Sequence, residues 1–138
     1  MIRAVVHHAV GTYNWEVIGI REATHGLMSD PPKFIQFELD KLDNLLLMGG
    51  TILGTTNQGD PFAFPMNDGT VSDRSSEIIN GYHKLGLEAL ISMGGDGRLA
   101  ILGRLAQQGA INVVGIPKTI DNDVGATEVS ALHHCGMI

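Results

Sequence analysis

The sequence predicts an α/β domain built on a parallel sheet flanked by helices, and three observations carry that expectation. Short apolar runs bounded by glycine turns alternate with segments whose apolar residues recur at three- and four-residue spacing. Glycine is abundant, at 18 residues, while aromatics make up only 5 %, which suits tight strand-to-helix turns better than an aromatic-rich sandwich. Strand, helix and strand follow one another at the spacing of right-handed crossovers, which generate parallel sheets.

Taken in order, residues 2–10 read as the last turns of a helix. EVIGI, 16–20, is a short buried strand, with a loop over 24–33 in which the Pro-Lys stretch 31–33 is a turn. LLLM, 45–48, is a second apolar strand that breaks into GGTILGTTNQG, 49–59. DPFAFP, 60–65, reads as a structured loop or plain packing. Asp73 or Ser72 is placed to cap a helix that carries Ile78, Ile79, Tyr82 and Leu85 on one face. ALISM, 89–93, is a third strand, ending in Gly94-Gly95-Asp96-Gly97. The following helix bears Leu99, Leu102, Leu105 and Ala106 and is expected to stop at Gly109. INVVGI, 111–116, is a fourth strand running into PKTIDND, 117–123. No internal repeat is present.

Composition narrows the classes of function. A formal charge of −6 argues against a general nucleic-acid or acidic-membrane surface. The single Cys135 forms no internal disulfide and has no CxxC partner. No stretch approaches the ~20 apolar residues of a membrane helix, and the N-terminus lacks a signal-peptide pattern. A soluble, cytoplasmic protein is the expectation. His7-His8 and His133-His134 are adjacent pairs without the i,i+4 geometry of a helical zinc site.

Three of the strands end in turns rich in glycine or acid: GGTILGTTNQG, GGDG and PKTIDND. Parallel strands share one carboxyl edge, where ligands of such folds bind. In GGDG, the glycines let backbone N–H groups approach an anion, and the helix that follows adds a positive dipole. Asp96 would repel a bound phosphate unless a cation lay between them; Mg²⁺ bridging carboxylate and phosphate oxygens supplies one. The competing reading makes Asp96 a helix cap. The pattern is neither a P-loop nor a dinucleotide fingerprint. Asp121 and Asp123 lie one residue apart, so something positive, a metal or a proton in transit, is needed between two like charges.

GGTILGTTNQG, MGGDG and VVGIPKTIDND, in this order and spacing, resemble the phosphofructokinase family over roughly residues 2–125, with PKTIDNDV the most specific stretch. The resemblance implies an incomplete phosphofructokinase-like nucleotide-binding domain over 1–130, with a divergent tail at 131–138. It implies ATP-dependent phosphorylation of fructose 6-phosphate to fructose 1,6-bisphosphate, a glycolytic step, with Mg²⁺ as cofactor and a homo-oligomer as the full-length state. Asp121 then resembles the general base that takes the proton from the sugar C1 hydroxyl. Thr119 resembles the neighbour that contacts the sugar phosphate and the moving phosphoryl group. Asp96 matches the Mg²⁺ site, with Asp123 orienting or coordinating through water. Gly50, Thr51 and Gly54 fall in the loop lining the nucleotide pocket, and Gly95, Asp96, Gly97 and Lys118 complete the ATP side.

Within the family, Gly at position 97 leaves room for the α-phosphate of ATP, whereas Asp there accompanies pyrophosphate use; Lys118 replaces the Gly of ordinary bacterial ATP enzymes. The pair resembles an atypical ATP-using subgroup. Pyrophosphate-dependent phosphorylation is the alternative enzyme, and a non-catalytic remnant binding nucleotide or a full-length homologue is the alternative outside enzymes. Departures from the family pattern are Arg98, where Ser or Thr is usual, and Asn57, where ordinary bacterial enzymes carry Arg. The family's first strand and phosphate loop would precede residue 2, and its acceptor-sugar domain would follow the chain. The resemblance therefore reads the chain as a fragment, inactive alone and prone to aggregation through unpaired edges and apolar faces.

Overall fold

The computed structural model describes residues 1–42, 52–54 and 60–118. The expected strand at 45–48 lies outside these residues. The chain divides into two compact units, Met1–Gln58 and Gly59–Ile138.

The first unit opens with α1, Ile2–Tyr13, which buries Val6 and Ala9. It runs three residues past the expected end because its stop signal is Asn14. Asn14 adopts a left-handed conformation (φ 54°), and the N–H groups of Asn14 and Trp15 close on the carbonyls of Val10 and Ala9. β1, Ile18–Ile20, pairs antiparallel with β2, Phe34–Gln36, in the register Ile18↔Gln36 to Ile20↔Phe34. Between them lies the short α2, Thr24–Met28, and after them α3, Leu39–Leu42, which lies against α1. None of β2, α2 or α3 is expected from periodicity, because each is shorter than two helical turns or a full alternating strand.

Gly26 in α2 is where the first unit is tightest. A Cβ there would come within 2.3 Å of the Arg21 carbonyl oxygen and 2.7 Å of that of Lys33. The Lys33 carbonyl belongs to a hydrogen-bonded weave: Lys33 N–H donates to the Gly26 carbonyl, and Arg21 N–H donates to that of Lys33.

In the second unit a 3-10 turn, Pro61–Ala63, leads into a two-residue hairpin strand, β3 at Phe64–Pro65, paired antiparallel with β4 at Val71–Ser72. The Asn67-Asp68-Gly69 tip is closed by the Asp68 carboxylate, which accepts from both the N–H and the hydroxyl of Thr70 and is held below the usual carboxylate range by those bonds. α4, Ser75–Lys84, buries Ile78 and Tyr82, the face expected from the sequence. The N-cap of α4 is Arg74, with no side-chain cap, rather than Asp73 or Ser72; Asp73 stands one residue before it, and its carboxylate accepts the Ser75 N–H at 2.9 Å. Gly86, in the left-handed region (φ 64°), ends this helix.

β5, Leu90–Gly94, then α5, Asp96–Gly109, then β6, Val113–Pro117, form a parallel crossover in the register Leu90↔Val113 to Gly94↔Pro117. The parallel pair agrees with the expected α/β class; the two antiparallel pairs add to it. α5 buries Leu102 and Leu105 as its stripe requires. Its left-handed cap is Ala110 (φ 50°), not Gly109. Gly109 serves packing instead: a Cβ there would meet Ile79 of α4 at 2.7 Å. On the face away from α5, the cross-strand partners Ile91 and Val114 are exposed, at 41 % and 53 %.

Two measurements check this reading. Gly26→Ala, which presses a methyl into two backbone carbonyls, is expected to cost about 3 kcal/mol or more and to lower the thermal transition followed by circular dichroism; an unchanged transition refutes the weave. The Arg74 guanidinium hydrogen-bonds the Glu77 carboxylate (Nε to Oε1, 2.7 Å) and holds its pKa below 4.5. A depressed pKa gives stability that is present above the unfolded value and lost as pH falls through the folded one. Glu77→Gln is therefore expected to shrink the loss of stability on acidification from pH 7 to below 4.5, read by urea denaturation at each pH.

Candidate functional site

The parallel register puts the turn after β5 and the end of β6 side by side. Lys118 N–H donates to the Gly94 carbonyl at 2.9 Å, extending the ladder past the last strand residue. A Cβ on Gly95 would sit 3.8 Å from the Lys118 carbonyl oxygen. Gly95, Asp96, Gly97 and Lys118, expected at one site from two separate turns, are thus brought together at the carboxyl edge.

Gly95 is the N-cap of α5, in extended conformation, and no side chain caps the helix. Asp96 is the first helical residue rather than the cap. Its carboxylate is exposed and takes no hydrogen bond or ion pair among the described residues. Asp96 therefore does not cap the helix by a hydrogen bond; its contribution at this helix end is the favourable one of an acid in the first turn. The first N–H groups of a helix have no partner within it, so the turn offers backbone donors and a positive dipole beside an uncommitted carboxylate. That donor set suits a divalent cation shared between one carboxylate and phosphate oxygens. It does not suit an all-protein cage, and no group of three or more His, Cys, Asp or Glu is gathered among the described residues.

Gly97 has nothing within 4 Å of a built Cβ among the described residues. Contrast Gly115 on β6, where a Cβ would strike Leu99 at 2.8 Å, and Gly94, where it would meet Arg98 at 2.9 Å. Among the described residues, packing accounts neither for Gly97 nor for Gly103 further along α5, which likewise has nothing within 4 Å.

Of the loop 49–59, Ile52–Gly54 is described, within the first unit. Leu53 accepts the Glu22 N–H at 2.7 Å, and Gly54 takes a left-handed conformation (φ 74°) that only glycine adopts readily. Gly50, Thr51, Thr119, Asp121 and Asp123 lie outside the described residues.

One cluster in the second unit escapes a sequence reading. Arg104, two turns along α5 from Asp96, stacks on the Phe62 ring (3.7 Å to the centroid), and its Nη1 lies 3.3 Å from Asp60 Oδ2. Asp60 Oδ1 in turn accepts the Phe62 N–H at 2.9 Å. Four residues beyond Arg104, Gln108 accepts the Ser75 hydroxyl at 3.2 Å. No local motif marks the contact, because Arg104 and Asp60 are 44 positions apart.

Gly97→Ala should leave the melting temperature of the chain unchanged or slightly raised, alanine being the better helix former, and Asp96→Asn should lower it by no more than the loss of one helix-dipole interaction, about 1 kcal/mol at most. A large loss of stability in either variant would return that residue to a structural role.

Comparison with known proteins follows from this geometry. The family model described as Phosphofructokinase matches residues 1–131. The chain is 71 % identical over 130 residues to ATP-dependent 6-phosphofructokinase 1 of Synechocystis sp., covering 94 % of this chain and 36 % of that protein. It is 70 % identical over 128 residues to a Nostoc sp. protein of the same name, covering 93 % and 35 %. The chain thus spans about 36 % of the length of the first of these relatives. The fold is similar to the solved phosphofructokinase of Pichia pastoris, with a TM-score of 0.71 at 23 % identity, covering 94 % of this chain and 14 % of that one. The Saccharomyces cerevisiae phosphofructokinase gives a TM-score of 0.67 at 22 % identity over 94 % and 19 %.

Proposed function

This chain belongs to the phosphofructokinase family, and from that premise we propose that a full-length protein carrying it phosphorylates fructose 6-phosphate at the C1 oxygen with ATP. The observation that carries the reading is the exposed, uncommitted Asp96-Gly97 pair beside Lys118 at the carboxyl edge of the parallel strands. The names of the Synechocystis and Nostoc relatives support ATP as donor. We take residues 1–130 as the nucleotide-side part of such an enzyme, 131–138 as a divergent tail, and the whole as a cytoplasmic homo-oligomer.

In this reading Asp96, with Asp123, holds Mg²⁺; when bound, that ion neutralises charge on the phosphates. The residues of the chain do the rest. Asp121 accepts the C1 hydroxyl proton as that oxygen forms its bond to the γ-phosphorus. The bond from that phosphorus to the β,γ-bridging oxygen breaks, and ADP leaves with its electron pair. Thr119 contacts the sugar phosphate and the transferring group. The N–H groups at Gly95–Gly97 and the Lys118 ammonium meet phosphate oxygens, and Gly50, Thr51 and Gly54 line the nucleotide pocket. Such chemistry rests on positioning and fixed charge more than on covalent participation. Gly97 selects the donor by leaving the α-phosphate unobstructed; an Asp there would oppose it in both bulk and charge.

The test is a coupled assay on a full-length protein in which residues 1–130 are set in the frame of the Synechocystis relative. ATP is expected to support turnover far better than pyrophosphate, and Gly97→Asp to depress ATP use more than pyrophosphate use. Asp121→Asn should lower kcat by roughly 10²–10⁴ with sugar-phosphate binding retained. Equal losses with both donors sink the donor assignment, and a raised KM at unchanged kcat makes Asp121 a binding residue.

A further inference from the structure

Gly94 closes β5, and the functional reading above gives it no task. It is buried, and its carbonyl accepts the Lys118 N–H at 2.9 Å. Its φ lies outside the left-handed region, so its backbone has no need of glycine. What excludes a side chain is the first turn of α5. A Cβ on Gly94 would lie 2.9 Å from both Cβ and Cδ of Arg98 and 3.4 Å from its Cγ. Side chains of a helix lean toward its N-terminus, so the stem of a first-turn residue falls back over the strand that feeds the helix. Leu99 does the same over β6, where its Cδ2 lies 2.8 Å from a Cβ built on Gly115. Successive residues of the first turn are thus seated on one glycine of each strand, all within the second unit.

The two seats differ in stiffness. The Leu99 Cδ2 is the free end of a side chain and can turn away. The Arg98 Cβ is bonded to the helix backbone and moves only when the helix moves. We propose that Gly94 is a positioning residue for the donor phosphates: by admitting the Arg98 stem it sets how closely the first turn of α5 sits on the strand ends, and so the spacing between the Asp96–Gly97 turn and Lys118. The proposal rests on the functional reading above. Gly94 touches no phosphate in it and acts through Arg98. It is fixed from the other side by the Lys118 bond, so a methyl at 94 displaces the helix turn rather than the strand.

The size of the effect follows from the contact. Ordinary contact begins near 3.4 Å, so a methyl 2.9 Å from the Arg98 Cβ lifts the turn by about 0.5 Å. Backbone donors and a carboxylate held for phosphoryl transfer are sensitive to such a shift. A misplacement of about 1 Å can cost about 10²-fold, so half of it corresponds to roughly tenfold.

The experiment uses the same full-length frame, with steady-state kinetics against ATP and fructose 6-phosphate, calorimetric titration with ATP and Mg²⁺, and a melting curve for each variant. Gly94→Ala is expected to lower kcat/KM for ATP and to weaken the Kd for ATP, each by roughly tenfold, with the KM for fructose 6-phosphate within about twofold. In an Arg98→Gly background, which lacks the stem and its Cβ, adding Gly94→Ala should change the ATP values by less than about twofold. Gly115→Ala, which meets only a side-chain end, should move the same quantities by about two- to threefold and be relieved by Leu99→Ala. It decides the matter if Gly94→Ala does not fold: an unchanged Kd for ATP then overturns the proposal. A merely structural role would lower the melting temperature and the titration stoichiometry while leaving the Kd for ATP alone, and that pattern in Gly94→Ala overturns it too. So does a tenfold loss that persists in the Arg98→Gly background, because the methyl then meets something other than the Arg98 stem. Absence of turnover and of ATP binding in the unsubstituted protein instead overturns the functional reading, a result distinct from losses confined to the variants.

Discussion

Everything proposed for this chain hangs on the parallel pairing of β5 with β6. The register from Leu90↔Val113 to Gly94↔Pro117 is continued by the Lys118 N–H on the Gly94 carbonyl. Because a parallel pair exits on one side, the GGDG turn and Pro117-Lys118 leave the sheet next to each other although about twenty residues separate them. A one-residue slip would turn each strand over and send its apolar residues to the wrong face. Gly115 helps to fix this register. Leu99 of α5 sits where a Gly115 Cβ would be, so the helix can settle on the strands only when that glycine lies beneath it.

α5 then acts at both ends. Its first turn presents backbone donors and an acid with no structural commitment, while its second half is riveted by Arg104, Gln108 and Gly109. The division has a physical logic. A helix terminus that binds charge must not move when charge arrives, and the first turn has few internal bonds to resist movement. Rigidity is therefore supplied from the far half, where the anchors to Asp60, Ser75 and Ile79 do not compete with a ligand for the same groups.

The legibility of this arrangement in the sequence follows the range of the interactions. The faces of α4 and α5 and the strands β5 and β6 are periodic or local features, and the structure carries them close to where the sequence places them. α2, α3 and β2 are too short to register as periodicity, so the stretch between the strands expected at 16–20 and 45–48 contains two helices and a strand. The hairpin of β3 and β4 had its Asn67-Asp68-Gly69 turn in view, but flanking strands of two residues, one ending in Pro65, show no alternation. The stop of α5 shows a different failure. Glycine at 109 suggests a left-handed cap, yet the cap is Ala110, and Gly109 is small to admit Ile79.

That last distinction bears on how the site itself can be read. The sequence shows glycines at 94, 95, 97, 109 and 115 without saying why each is small. In the fold, Gly109 and Gly115 have neighbours inside 3 Å of a built Cβ, so packing accounts for them completely. Gly94 likewise has the Arg98 Cβ at 2.9 Å from a built Cβ, whereas Gly95 has merely ordinary contact with Lys118. Among the described residues Gly97 has nothing within 4 Å of a built Cβ, and it sits in a helix, where glycine is disfavoured by about 1 kcal/mol against alanine. Gly103 shares that open setting further along α5, so open space alone marks no site; Gly97 differs in standing beside Asp96 in the first turn, where the free backbone donors are. The adjoining Asp96, exposed and without a partner among the described residues, limits what those donors can bind. An anion alone would be repelled by the carboxylate and a cation alone would gain nothing from the helix dipole. A phosphate that arrives with its divalent cation satisfies both.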